Sequence, residues 1–288
     1  MWKKLFNKAE SVDENATVRV IGDRACGKTS YMASLAYWPN ADPNSGVQAI
    51  IPIGEEAETL VANAQNILEQ GLELEPTVLN SNVDQVKDYT LSITLKSQVK
   101  LTINCKDYAG EFFSDLLHKS GDPLLDDYLD DCLQASGILF LVDGTSHRKD
   151  SEYAKGLDKF LLALDRADLE TSTNKKNKKR IVLVLTKCEQ SELWINRNQP
   201  KQMIAARFPQ LYQKFQNWKE LGTGEVEYFT ASAFGILGSK FPEPNSQKIS
   251  RDRGGTRSVI KNPRRWRPFG LVTPIYWLCT GKKDQTLD

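Results

Sequence analysis

Eight consecutive residues carry the plainest chemistry in this sequence. Gly22, Asp23, Arg24, Ala25, Cys26, Gly27, Lys28 and Thr29 set a glycine, four intervening residues and then Gly-Lys-Thr, the pattern of a loop that cradles phosphates. The residue types follow from that task. Gly22 and Gly27 let the backbone turn sharply and come close to phosphate oxygens. The successive N–H groups around them, carried on into Ser30, form an anion-binding nest at the start of a helix. Lys28 puts a compact positive charge between the β- and γ-phosphates, and the Thr29 hydroxyl is a ligand for Mg²⁺. Arg24 and Cys26 have no role in the pattern, and Cys26 reads as a small space-filler. Three further clusters each follow a predicted strand: Asp107-Tyr108-Ala109-Gly110, Thr186-Lys187-Cys188-Glu189, and Ser232-Ala233.

The elements that must position these residues follow from periodicity. Thr17–Ile21 is β-branched and reads as a buried strand, and a helix runs from Lys28 to about Tyr37, before Pro39. Glu55–Gln70 predicts a helix with Leu60, Ala64, Ile67 and Leu68 on one face and Gly71 as its cap. The stretch from Leu72 to Lys87 has no clear period and contains Pro76. Tyr89–Leu95 and Val99–Cys105 alternate apolar and polar residues around a short Lys96–Gln98 connection, the mark of a hairpin. Leu124–Ala135 is an amphipathic helix, and its acids Asp126, Asp127, Asp130 and Asp131 read as a solvated face. Ile138–Val142 and Ile181–Leu185 are continuous apolar strands, as in a parallel sheet covered on both faces. Tyr153–Leu164 and Pro200–Lys219 are helical, the second broken near Pro209. Val226–Phe229 is a last strand, Ser246–Pro268 a loop rich in Gly, Pro and Arg, and Phe269–Cys279 a closing helix. Right-handed crossovers in this order predict a three-layer α/β/α P-loop NTPase fold: a mostly parallel sheet with one antiparallel edge strand from the hairpin.

With these clusters in this order, the chain resembles the Ras-like small GTPases of the translation-factor-related P-loop class. Within that class it looks closest to bacterial double-GTPase type domains. The resemblance runs from about Arg19 to Ala233. It implies that Asp107 holds the Mg²⁺ shell and that the Gly110 amide senses the γ-phosphate. Glu111 stands where many relatives have a glutamine that orients the attacking water; it reads equally as a first-turn helix residue. Thr186, Lys187 and Glu189 resemble the guanine-reading element, with Glu189 in place of the usual aspartate. Glutamate offers the same acceptor pair on a longer arm. Ser232-Ala233 resembles the element whose backbone amide reaches the guanine O6. Thr77 is the choice for the switch threonine that closes over Mg²⁺. The implied layout is a tail at 1–15, a Ras-like domain at 16–240 with an inserted helical segment at about 40–88, a basic loop at 241–268, and a closing helix with its tail at 269–288.

Composition excludes several other classes. A net charge of +1 gives no global pull toward nucleic acid. Five scattered cysteines, never in a Cys-x-x-Cys pair, argue against a disulfide framework or a zinc ribbon and suit a reducing cytosol. Two histidines leave no histidine-based metal site. No run approaches the roughly 20 apolar residues of a membrane span. Trp2 and Phe6 beside Lys3, Lys4 and Lys8 could touch a membrane surface, but a frayed terminus is the plainer reading. Two basic runs, one from Lys175 to Arg180 and one from Lys248 to Arg267, read as solvated loops that could meet an acidic partner.

The sequence therefore leads to a cytoplasmic guanine-nucleotide switch that takes GTP or GDP with Mg²⁺, hydrolyses GTP, and signals to a protein effector or companion GTPase. A nucleotide-binding interaction module with little turnover is a second reading, fed by Glu111 and Glu189. A P-loop ATPase or kinase is the third, and it would make the Thr186–Glu189 and Ser232-Ala233 elements coincidences.

Overall fold

The structure, a computed structural model, describes residues 13–38, 44–71, 86–119, 123–170, 179–238, 242–252, 255–284 and 286–287. Its centre is a seven-stranded sheet. In chain order the strands are β1 (Asp13–Gly22), β2 (Val47–Ile53), β3 (Asp88–Leu95), β4 (Lys100–Asp107), β5 (Gly137–Asp143), β6 (Lys179–Thr186) and β7 (Gly224–Thr230). Across the sheet they run β2-β3-β4-β1-β5-β6-β7. The pairings β4–β1, β1–β5, β5–β6 and β6–β7 are parallel, while β2–β3 and β3–β4 are antiparallel.

The hairpin β3–β4 supplies the expected strand that runs against the rest. It lies one place in from the edge, because β2 covers it. Val47–Ile53 holds Pro52, is separated from the following helix by Gly54 alone, and shows only partial alternation in burial. An edge strand tolerates the proline, since one side of its ladder is open. Ile51 and Ile53 on this strand are exposed.

Helices cover both faces. On one side α1 (Lys28–Ala36), α2 (Glu55–Gln70) and α9 (Val272–Thr280) pack against Val18 and Val20 of β1, Leu139 and Leu141 of β5, and Val182 and Val184 of β6. On the other lie α3 (Gly110–His118), α4 (Pro123–Gln134), α5 (Asp150–Glu170), α7 (Pro200–Arg207) and α8 (Pro209–Glu220), with Ile138, Phe140, Val142, Ile181, Leu183 and Leu185 facing them. Strand residues alternate between two helical layers, so a continuous apolar run is required on each central strand. A one-turn helix, α6 (Ser191–Trp194), follows β6. The break at Pro209 is real: Phe208 leaves the helical region with φ −132° before α8 begins.

Three expectations need correction. The acids of α4 are not one solvated face. Asp126, Asp127 and Asp130 are exposed, but Asp131 accepts from Arg19 Nη2 at 2.9 Å, from Lys106 Nζ at 3.2 Å and from the Tyr108 hydroxyl. Ser246–Pro268 is not simply a loop: β10 (Ser246–Asp252) and β11 (Gly255–Ile260) pair as an antiparallel hairpin. It follows a small antiparallel pair, β8 (Ile236–Leu237) with β9 (Glu243–Pro244). Of the first basic run, the described members are structural. Lys179 caps the carbonyls of Leu133 and Ala135, and Arg180 Nη1 bonds those of Leu278 (3.0 Å) and Cys279 (2.9 Å). Among the described residues, no helix is long and apolar enough to cross a membrane.

Candidate functional site

Register brings the sequence clusters to one edge of the sheet. Asp107 at the end of β4 stands opposite Val20 of β1, and Gly22 pairs with Leu141 of β5. Asp143 ends β5 opposite Thr186, which ends β6, and Leu185 pairs with Thr230 at the end of β7. All five strands are parallel here, so the loops that leave them surround a single crevice. β1 lies between strands whose connections run in opposite directions, and such crevices bind ligands in open α/β sheets.

The loop from Gly22 to Gly27 has the shape that the motif requires. Gly22 has φ +154°, and a Cβ placed there would lie 2.4 Å from the Leu141 carbonyl oxygen, so no side chain fits. Ala25 holds φ +58°, a conformation non-glycine residues rarely adopt outside functional turns. Gly27 is the N-cap of α1, whose first residue is Lys28. The Lys28 ammonium donates to the carbonyls of Gly22 at 3.0 Å and Asp23 at 3.2 Å, curled over its own loop. Cys26 is fully buried and burial pushes its thiol up, which suits a space-filler. The Asp23 carboxylate accepts from Lys149 and, at 3.3 Å, from the Tyr153 hydroxyl. Ser30 and Arg24 stay partly or fully open to solvent.

Thr29 and Asp107 meet beside the loop. The Thr29 hydroxyl donates to Asp107 Oδ2 at 3.5 Å, and Asp107 is buried. A hydroxyl and a carboxylate next to a phosphate nest are the oxygen donors a hard divalent cation takes, so these residues fit Mg²⁺. Gly110 sits directly on the loop. A Cβ at Gly110 would lie 2.4 Å from the Arg24 amide nitrogen and 2.5 Å from its Cα. The next residue, Glu111, is in the first turn of α3, and its carboxylate reaches the Arg24 guanidinium at 3.5 Å. Both roles open to Glu111 from sequence are thus compatible with its place. Thr77 lies outside the described residues.

The other half of the site is built by the residues that end β6 and follow β7. Thr186 donates its hydroxyl to the Cys26 carbonyl, which ties β6 to the phosphate loop. Lys187, with φ +58°, pairs with Asp143 at 2.6 Å. Burial pushes the Asp143 carboxyl up, but the Lys187 charge and the Thr145 hydrogen bonds outweigh it and leave the acid below its usual range. Glu189 is 4% exposed, and no hydrogen-bond partner reaches its Oε2 among the described residues. Burial raises its carboxyl above the usual range, against hydrogen bonds from Ser232, its own backbone amide and Gln190. Ser232 is fully buried, and Ala233 follows it at the same strand end.

Sequence reasoning missed several residues here. Asp143 carried a signal, since an acid ends a buried strand at the crevice side. Lys149 and Trp266 carried none, because their contacts, with Asp23 and with the Ala233 carbonyl, are made across the fold.

No protein-family model and no curated protein matches the chain. Among solved structures it is similar to the signal recognition particle receptor SRb-GTP/SRX complex from Chaetomium thermophilum, at 13% identity, TM-score 0.44, over 78% of this chain and 93% of that one. It is also similar to the ADP-ribosylation-factor-like GTP-binding protein and small COPII coat GTPase SAR1 of Encephalitozoon cuniculi in complex with GDP, at 12% identity, TM-score 0.33, over 76% of this chain and 69% of that one. A third likeness is to the bacterial selenocysteine-specific elongation factor EF-Sec, at 14% identity and TM-score 0.34, over 76% of this chain and 26% of that one. Similarity this distant transfers no ligand or partner to the chain.

Proposed function

We propose that this chain is a guanine-nucleotide-binding switch that takes GTP or GDP with Mg²⁺ and hydrolyses GTP to GDP and phosphate. The observation that carries the reading is the gathering of four separate elements at one crevice: the loop Gly22–Thr29, Asp107–Gly110, Thr186–Glu189 and Ser232-Ala233. The loop amides and Lys28 bind the phosphates. Thr29 and Asp107 hold Mg²⁺, which when bound supplies positive charge to the phosphate oxygens. Glu189 reads the N1 and N2 groups of guanine, and Ala233 its O6. In hydrolysis, water forms a new P–O bond at the γ-phosphorus, the bridging bond to the β-phosphate breaks, and the water proton leaves with the products. Lys28 offsets charge on the transferring group. Contact between Gly110 and the loop supports a segment that registers the γ-phosphate and passes the change to a protein partner.

The test is nucleotide binding to purified protein in magnesium buffer, with GTP, GDP and ATP compared in wild type and Lys28→Ala. Tight guanine binding that ATP does not challenge and that the variant loses is expected. Equal or better ATP binding would leave a P-loop NTPase of another kind.

One observation favours a second reading, binding with little turnover. Glu111 is held by Arg24, and its carboxylate can accept from water but cannot donate to a phosphate. On this reading Glu111→Gln speeds single-turnover hydrolysis by about tenfold, a small part of what a well-placed catalytic group contributes. An unchanged rate in a variant that still binds GTP would remove Glu111 from the chemistry.

A further inference from the structure

The Ser232–Gly235 turn, Ser-Ala-Phe-Gly in sequence, is gripped closely by the chain beyond it. Ser232 N–H donates to the Phe269 carbonyl at 2.9 Å, and Phe269 N–H donates back to the Ser232 carbonyl at 3.1 Å. Gly235 bridges to Arg267 in the same segment. The Trp266 indole N–H donates to the Ala233 carbonyl at 2.7 Å, where the Ser34 hydroxyl also donates at 3.1 Å. The carbonyls on both sides of Ala233 are therefore held by fixed donors.

This geometry has a directional consequence. No described peptide bond is cis, and in a trans peptide the C=O and N–H point in opposite directions. With the Ser232 carbonyl turned onto Phe269, the Ala233 N–H must point away from that segment. The segment is itself anchored. Asn245 is fully buried, its amide donates to Gly235 at 3.0 Å, and its side chain bonds Asn262 at both ends, donating to the carbonyl at 3.1 Å and accepting from the amide at 2.8 Å. Trp266 is buried and stacks on Tyr37 at 5.8 Å between ring centroids.

We propose that Trp266 and the Arg267–Phe269 segment form a specificity-determining brace, which aims the Ala233 amide at the exocyclic oxygen of a guanine base. The proposal rests on the guanine reading above. It makes Trp266 a positioning residue, far from the phosphates in sequence and outside every motif.

The test compares GTP with 6-thio-GTP, which changes only the atom at C6, and with ITP, which lacks only the N2 amino group. Wild type, Trp266→Phe and Phe269→Pro are measured; the phenylalanine keeps an aromatic ring, smaller than the indole, and drops the donor, and the proline drops the backbone N–H. Wild type is expected to prefer GTP over 6-thio-GTP by about fivefold to tenfold, the worth of one hydrogen bond. Both variants should bring that ratio to about one to three and leave the GTP-to-ITP ratio unchanged, since Glu189 is untouched. If the proline variant fails to fold, Trp266→Phe alone decides. A folded variant with an unchanged GTP-to-6-thio-GTP ratio overturns the brace and leaves the guanine reading intact. So does a wild type that binds the two equally while preferring guanine over adenine. A wild type with no preference for guanine overturns both.

Discussion

Glu189 shows at the scale of one residue how a site can be built against stability. Its carboxylate is buried with one oxygen unpartnered among the described residues, and burial raises its carboxyl above the usual range. A raised acid contributes stability that is present below the pKa of the unfolded chain and is lost as pH rises through the folded value. Wherever it is ionised, the side chain therefore costs the nucleotide-free protein stability. On the proposed reading, guanine, with two N–H donors facing the same way, would relieve that cost. Glu189→Gln should raise the Tm of the nucleotide-free protein and weaken GTP binding by about tenfold or more, because an amide group then faces those donors. In the wild type, guanine affinity should fall as pH drops through the raised folded pKa of Glu189, an effect absent in the variant. Calorimetric titration across pH checks both. A pH-independent affinity would mean that Glu189 does not read the base.

At the scale of the element, the segment between β4 and α3 is held from both sides. On the loop side, Gly110 lies so close to Arg24 that a methyl group cannot be added without movement. On the proposed role of Gly110 as the residue that registers the γ-phosphate, Gly110→Ala should lower GTP affinity by roughly tenfold and change GDP affinity by less than about twofold. Parallel displacement assays with the two nucleotides read this directly. On the far side, Tyr108 packs edge-on against Phe112 and Tyr128 and donates to Asp131, which also takes Arg19 and Lys106. Burial pushes the Asp131 carboxyl up, but these partners together leave it below its usual range. Removing it strands a guanidinium that is 8% exposed. Asp131→Ala should cost about 2–3 kcal/mol, less than for a fully buried pair because Asp131 keeps some solvent. Urea denaturation with an unchanged m-value would show it; a loss under about 0.5 kcal/mol would mean the cluster is solvated after all.

At the scale of the molecule, loops from five strands and a segment near the end of the chain meet at one crevice, so a bound nucleotide fastens distant parts of the fold together. Nucleotide at one hundred times its Kd should stabilise the protein by about 2.7 kcal/mol. Thermal unfolding in GTP and magnesium should then shift upward by several degrees. Lys28→Ala should lose most of that shift while keeping nearly the same Tm without nucleotide, because among the described residues the lysine bonds carbonyls of its own loop. A wild-type Tm indifferent to both guanine and adenine nucleotides would sink the assignment of the crevice.

The phosphate loop, the helices α1 and α2 and the central strands were legible because each is written within a few neighbouring residues. Gly22 to Thr29 is one contiguous pattern, α2 begins and ends at the predicted residues, and β5 and β6 are continuous apolar runs. The edge strand β2 was not legible, since an open edge with a proline needs neither strict alternation nor strong β propensity. Nor was the pairing of β10 with β11, which shows no apolar alternation to betray it. The candidate phosphate-binding pattern, Gly22 to Thr29, was thus set by the sequence alone. The tertiary structure alone decided that Asp131 belongs to Arg19, Asp143 to Lys187, Glu111 to Arg24 and Trp266 to Ala233. Those pairs are separated along the chain by dozens of residues, and what brings them together is strand order and burial, which local periodicity does not encode.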